Sequence, residues 1–249
     1  MDRGATYNQS PSQKALYRAW LEFWEIIDRE RTARNADLWV VLTGDALDLN
    51  KHDGLDPVCH KRSNIVALAA DVYGPIKERA SRLYVVKGTE AHVGPHCELE
   101  ELLATKLGAV PDKWENCPAH WWLPLKCEGV LFDIAHHPTT VGHKEWTKGA
   151  APSRMSAELA LQYHERGERV PDVALRGHVH YFADSGEGRK PRVFYLDPWS
   201  LTTAFGHRRG AGGMTRPVGG SWYLCDGGKY EFHREWWQPQ RRTVWRRTT

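Results

Sequence analysis

Four short apolar runs in this chain end alike, and that shared ending limits the folds it can adopt. "VVLTGDALD" (40–48) closes on Asp45 and Asp48. "YVVKGTEAH" (84–92) closes on Thr89, Glu90 and His92. "FDIAHHP" (132–138) closes on His136 and His137, and "ALRGHVH" (174–180) on His178 and His180. A short run that is apolar throughout and ends at glycine or polar residues reads as a buried strand. In an open α/β sheet the carboxyl ends of the strands form the ligand crevice. The pattern therefore predicts that polar residues far apart in sequence, from 45 to 180, meet at one edge of one sheet.

Segments of helical character separate these runs. "SPSQ" (10–13) is a capping box with proline at the first helical position, and Leu16, Trp20, Phe23, Trp24 and Ile27 follow at helical spacing. A second helix is expected over about 61–81, with Ile65, Leu68, Val72 and Ile76 on its inner side. Others are expected near 97–108 and 150–167. Strands are expected at 37–45, 82–88, 121–126, 129–137, 171–180 and 192–198, with a hairpin over 221–235 turning at Asp-Gly-Gly. Strand-helix alternation followed by a strand-rich second part predicts an α/β sandwich. With 249 residues, a single domain over 1–233 is the economical reading, followed by a basic tail at 234–249.

Charge supports that division. The chain carries a formal net charge of +3. From Arg234 onward there are five arginines and one glutamate, +4, which leaves the rest at −1. Arginines interleaved with Trp236, Trp237 and Trp245 are suited to phosphate contact and base stacking. A solvated terminus has the same composition. The five cysteines are scattered, odd in number and form no Cys-x-x-Cys. This composition argues for free thiols in a cytoplasmic protein, against a disulfide framework or a zinc ribbon. No apolar run approaches the roughly 18 residues of a membrane span, and the polar start "MDRGATYNQSPSQ" lacks a signal-peptide core.

Imidazoles and carboxylates together suit first-row divalent ions such as Mn²⁺, Fe²⁺ or Zn²⁺ and do not suit Ca²⁺. One aspartate can bridge two ions, and two histidines spaced one residue apart can serve different ions. Two ions roughly 3.5–4 Å apart clamp the attacking and leaving oxygens of a phosphoryl displacement. Any one of these motifs is weak evidence, and the ordered series of four is strong.

The series resembles the calcineurin-like metallophosphoesterases, over roughly residues 37–200. "GDALD" (44–48), "HHP" (136–138) and "GHVH" (177–180) stand where that family carries Gly-Asp-x-x-Asp, His-His-Pro and Gly-His-x-His. "GTEAH" (88–92) looks like the variant of Gly-Asn-His found in phage-encoded members, as does the downstream Pro198-Trp199. The resemblance implies a sandwich of two β-sheets flanked by helices and a dinuclear Mn, Fe or Zn centre. It makes Asp45 the bridging ligand, with His136, His178 and His180 as further ligands. His92 becomes the catalytic histidine that protonates the leaving group or steadies the phosphate. Thr89, Glu90, His137 and Asp48 are left as further candidates, His137 and Asp48 in supporting roles. Thr89 stands where the family has asparagine, and no Asp-x-His precedes "GDALD". The family's first strand is therefore expected to be missing, through a start placed downstream of it or through truncation.

The activity implied is phosphodiester hydrolysis by a metal-bound hydroxide, on a phosphoester that includes nucleotides or nucleic acid, in a protein of phage type acting in the host cytoplasm. The alternative is a non-catalytic relative that holds nucleic acid or a partner. A metallo-β-lactamase reading fails because the chain contains no His-x-His-x-Asp-His.

Overall fold

The computed structural model describes residues 9–49, 61–142, 145–201 and 216–239. Cys59 and residues 240–249 of the expected tail lie outside the described residues.

Helix α1 (Pro11–Ala33) starts as its sequence predicts. Gln13 N–H donates to Ser10 Oγ at 3.2 Å and Ser10 N–H donates to Gln13 Oε1 at 2.8 Å, which satisfies two otherwise unpaired donors. It buries Ala19, Phe23, Trp24 and Ile27. Strand β1 (Trp39–Leu42) follows, then α2 (Arg62–Arg79) and β2 (Arg82–Val85). The inner side of α2 matches the expected one in part, with Ile76 buried and Ile65 packed against the core. Val66, Ala69, Ala70 and Ile76 are buried, whereas Ile65, Leu68 and Val72 are half-buried. The reason is packing: α2 lies against α4 (Glu98–Leu107), whose Leu99 and Leu103 are fully buried, and alanines allow the close approach. A one-turn helix α3 (Glu90–Val93) precedes α4.

The second part holds β3 (Trp122–Cys127), β4 (Val130–Ala135), α5 (Ala150–Glu165), β5 (Val173–Arg176), β6 (Ala183–Asp184) and β7 (Arg192–Tyr195). It ends in a hairpin of β8 (Val218–Asp226) and β9 (Lys229–Trp237), longer at both ends than expected. Both of its turn residues have positive φ, 52° at Gly227 and 81° at Gly228, as a two-residue turn between twisted strands requires. β9 carries Arg234, Trp236 and Trp237, and Arg234 makes a two-pronged contact with Asp197 at 2.5 and 2.9 Å.

The fold is mixed α/β. β1 and β2 form a parallel pair. A five-stranded sheet has the order β3-β4-β5-β7-β6, with β4, β5 and β7 parallel and the two edge strands antiparallel. One apolar cluster joins α1, α2 and α4 to one side of β1 and β2. A second fills the space between the five-stranded sheet and the hairpin. A third packs α5 on the far face of the sheet. Among the described residues no helix is long and apolar enough to cross a membrane.

Under the sheet edge lies a buried ion pair. Arg176 Nη2 meets Asp133 Oδ1 at 2.5 Å, Arg176 Nη1 donates to Asp133 and Leu175 carbonyls at 2.8 Å, and Tyr163 O–H donates to Asp133 Oδ2 at 2.7 Å. Removing one partner of such a pair leaves an uncompensated buried charge. Arg176→Met is therefore expected to cost about 3–5 kcal/mol in urea unfolding; a loss under about 1 kcal/mol would show that water reaches Asp133.

Candidate metal centre

The four strand ends that the sequence marks out meet in space. Asp45 lies three residues past β1, His136 directly follows β4, and His178 lies two residues past β5. Asp45, His178 and His180 all have left-handed backbone, with φ of 53°, 66° and 54°. This conformation is uncommon for residues other than glycine and clusters at functional sites.

Asp45 is tightly held. Its Oδ2 lies 3.0 Å from His136 Nε2, and its Oδ1 accepts the Thr89 N–H at 2.6 Å. Burial alone would raise its pKa, but the bond and charge of His136 and the Thr89 amide outweigh it and hold the carboxyl at about 2. His136 is itself fixed by its other nitrogen, since Nδ1–H donates to the Thr43 carbonyl at 2.7 Å. That bond sets the tautomer and leaves Nε2 for a cation. Burial lowers the His136 pKa, yet Asp45 raises it further, so its net direction is upward.

Thr89 is the hub. Its Oγ1 is 3.3 Å from Asp45 Oδ2, 3.4 Å from His136 Nε2, 3.2 Å from His137 Nε2 and 3.2 Å from His178 Nδ1. The rings of His136, His137 and His178 crowd together, with centroids 4.5–5.3 Å apart. Each of the three offers a ring nitrogen, and all these nitrogens lie within 4.8 Å of one another. Burial and neighbouring histidines push the His137 pKa down to about 4 and that of His178 below its usual value. Two neutral imidazoles beside a firm carboxylate form a donor set that fits a divalent first-row cation.

His180 lines the same crevice with Asp45, His136 and His178 but does not join the histidine triplet. Its backbone carbonyl accepts from Arg216 Nη1 at 3.2 Å, and burial first, then Arg216, His92 and His178, lowers its pKa against the opposing charge of Asp45. His92 contacts Asp48 instead, Nδ1 to Oδ1 at 3.2 Å. That bond raises its pKa, with support from the charge of Asp45. Glu90 points elsewhere: its Oε1 accepts the His96 N–H at 3.0 Å and caps the following turn.

One organising residue has no distinguishing mark in the sequence. Glu100 is fully buried and ties two of the loops together, accepting the Ala46 N–H at 3.0 Å and the Gly88 N–H at 2.6 Å. Nothing in "ELEELL" (98–103) separates it from Glu98 and Glu101. Burial pushes its pKa up to about 7 despite those two bonds. A carboxyl whose folded pKa exceeds its unfolded one holds an extra proton in the folded chain between the two values, so the folded state loses stability as pH rises through that window. Glu100 on its own therefore makes the unfolding midpoint fall from about pH 5 to about pH 7, a contribution that His137, pushed down to about 4, opposes over part of the same range. Glu100→Gln should flatten that slope while lowering stability by about 2 kcal/mol, because the amide cannot accept from both N–H groups. Parallel slopes for the two chains would rule this out.

No family model and no curated protein matches the chain. Among solved structures it is similar to a single mutant of Vps29 from Entamoeba histolytica, at 10% identity and a TM-score of 0.38, covering 95% of this chain and 96% of that one. It is also similar to the wild-type Vps29 of that organism complexed with Zn²⁺, at 10% identity and a TM-score of 0.36, covering 79% and 97%. Vacuolar Protein Sorting 29 from Cryptosporidium parvum is similar at 12% identity and 0.34, covering 81% and 98%. Likenesses this distant assign the chain to no family.

Proposed function

We propose that this protein is a metal-dependent phosphoesterase whose centre is built on Asp45, His136 and His178, with His180 and His137 at its margin. The observation that carries the reading is the convergence of Asp45 and three histidine nitrogens around the Thr89 hydroxyl. Held there by Asp45 and the histidines, a divalent Mn, Fe or Zn ion, or a pair of them, would supply charge to a phosphoryl oxygen and acidity to a water. The chain's own residues do the rest. Asp45, ionised above about pH 2, is aimed by the Thr89 amide and by His136. His136 is locked by Thr43 and cannot turn away. Asp48 holds His92 by Nδ1 and raises its pKa, which favours a proton on Nε2 for donation to the leaving oxygen.

A phosphodiester, in a nucleotide or nucleic acid, is the substrate class we favour. The motif series from 44 to 180 resembles phage-type calcineurin-like metallophosphoesterases, and the Arg/Trp-rich end of the chain suits a phosphate backbone. The test is Mn²⁺-dependent hydrolysis of bis-p-nitrophenyl phosphate. Turnover that requires metal and disappears in His92→Asn supports the reading. Metal binding by calorimetry with no turnover on this or a mononucleotide ester would favour the second reading, a non-catalytic metal-binding relative. Thr89, standing where the resembled family carries asparagine, speaks for that second reading.

A further inference from the structure

Two of the chain's cysteines, distant in sequence, are brought together at one end of the hairpin layer. Cys127 is the last residue of β3 and Cys225 the next-to-last of β8. Both are free thiols, and both are partly exposed. Side chains alternate along a strand, so Leu123, Leu125 and Cys127 share the face of β3 that packs against the hairpin. Tyr223 and Cys225 share the face of β8 that packs against the sheet. All five residues belong to one apolar cluster.

The turns beyond these strand ends are joined. Gly228 N–H donates to the Glu128 carbonyl at 2.7 Å, and a Cβ at Gly129 would lie 3.1 Å from Gly228 Cα. The two strand ends are thereby fixed side by side, and the two thiols hydrogen-bond to each other. The hairpin is otherwise a separate layer, because β8 and β9 pair with no other strand among the described residues. At its opposite end Arg216, two residues before β8, donates from Nη1 to the Val179 and His180 carbonyls at 3.2 Å. The same layer therefore braces the loop that carries His180.

We propose that Cys127 and Cys225 are a redox-active pair that a small disulfide such as oxidised glutathione converts to an intramolecular disulfide, stapling the hairpin to the edge strand of the five-stranded sheet. The order of events follows from the environment of each thiol. Burial raises both, Cys225 to about 12. The bond between them opposes that rise at Cys127 and adds to it at Cys225, which is the pattern of a Cys225 S–H donating to the Cys127 sulfur. Cys127 is therefore the thiol that ionises and attacks. Its thiolate displaces one glutathione from the oxidant, and that glutathione leaves as a thiol with the proton Cys127 gave up. The Cys225 sulfur then loses its proton and displaces the second glutathione from Cys127. The pair loses two protons and two electrons, and one oxidised glutathione becomes two reduced ones.

The test treats the whole folded chain with oxidised glutathione overnight, followed by alkylation and peptide mapping, and needs neither metal nor turnover. The expected product is a cross-linked peptide joining Cys127 to Cys225, lighter than the reduced pair by about 2 Da and opened by dithiothreitol. The bond closes a loop of about 100 residues, so the urea midpoint should rise by about 1 M against the reduced chain. Cys225→Ser is expected to stop at a stable glutathione adduct on Cys127. Cys127→Ser should take up glutathione at Cys225 at least about tenfold more slowly. A native chain that stops at an adduct on either cysteine overturns the proposal. So does a pair still reduced after the treatment, or a cross-link from Cys127 or Cys225 to any other cysteine.

Discussion

His178→Asn is expected to remove divalent-metal binding by at least about tenfold to a hundredfold and to abolish metal-dependent ester hydrolysis, while leaving the fold intact. The choice of asparagine matters. His178 has φ 66°, and asparagine tolerates left-handed backbone where alanine is strained. An alanine variant would mix lost ligation with backbone strain. His178 is also exposed and supports no core cluster. Its loss should therefore leave the urea midpoint within about 0.5 kcal/mol of native, as for other surface changes. Manganese titration by calorimetry, with a parallel urea melt, checks both halves. Native metal affinity in the variant would remove His178 from the centre. Lost affinity with a collapsed fold would recast it as a structural residue.

The second large effect comes from a residue with no side chain. Gly88→Ala is expected to cost about 3 kcal/mol of stability and to abolish metal binding. A Cβ at Gly88 would lie 2.3 Å from both the backbone nitrogen and Oδ1 of Asp45. These atoms cannot yield cheaply, because Asp45 is bonded to Thr89 and His136 and Gly88 itself donates to Glu100. The loops after β1 and β2 would have to separate, and Asp45 would leave the histidines. Gly149→Ala is the matched control, since Gly149 has helical dihedrals, φ −67° and ψ −26°, and open space around it. It should change stability by less than about 0.5 kcal/mol. Similar midpoints for the two variants would mean that the loops are not in close contact in solution.

Much of the molecule was legible in advance because its signals are local. A capping box needs only Ser10, Pro11 and Gln13 to be read. Asp-Gly-Gly specifies a tight hairpin because only glycine adopts two successive positive φ values at low cost. Apolar runs ending in Gly-Asp, Gly-Thr, His-His and Gly-His mark strands with polar carboxyl ends, and the structure joins those ends into one site. Where the reading missed, the cause was not local. The inner side of α2 is set by which helix packs on it, and alanines that look neutral in sequence become the contact. Glu90, left open as a metal-binding or supporting residue, accepts the His96 N–H one helical turn on. Thr89, read as a stand-in for asparagine, is the residue around which the others gather.

The sequence by itself determined the order of strands and helices, the apolar character of each and the four clusters of imidazole and carboxylate. Local propensity and hydrophobic periodicity act over a few residues and need no partner. Only the tertiary structure decided that Glu100 is the glutamate turned inward, that Gly88 must lack a side chain, and that His137 joins His136 and His178. Each of these depends on atoms brought together from 12 to 54 positions apart in the chain, and the free energy of such contacts exists only once the chain has closed around them.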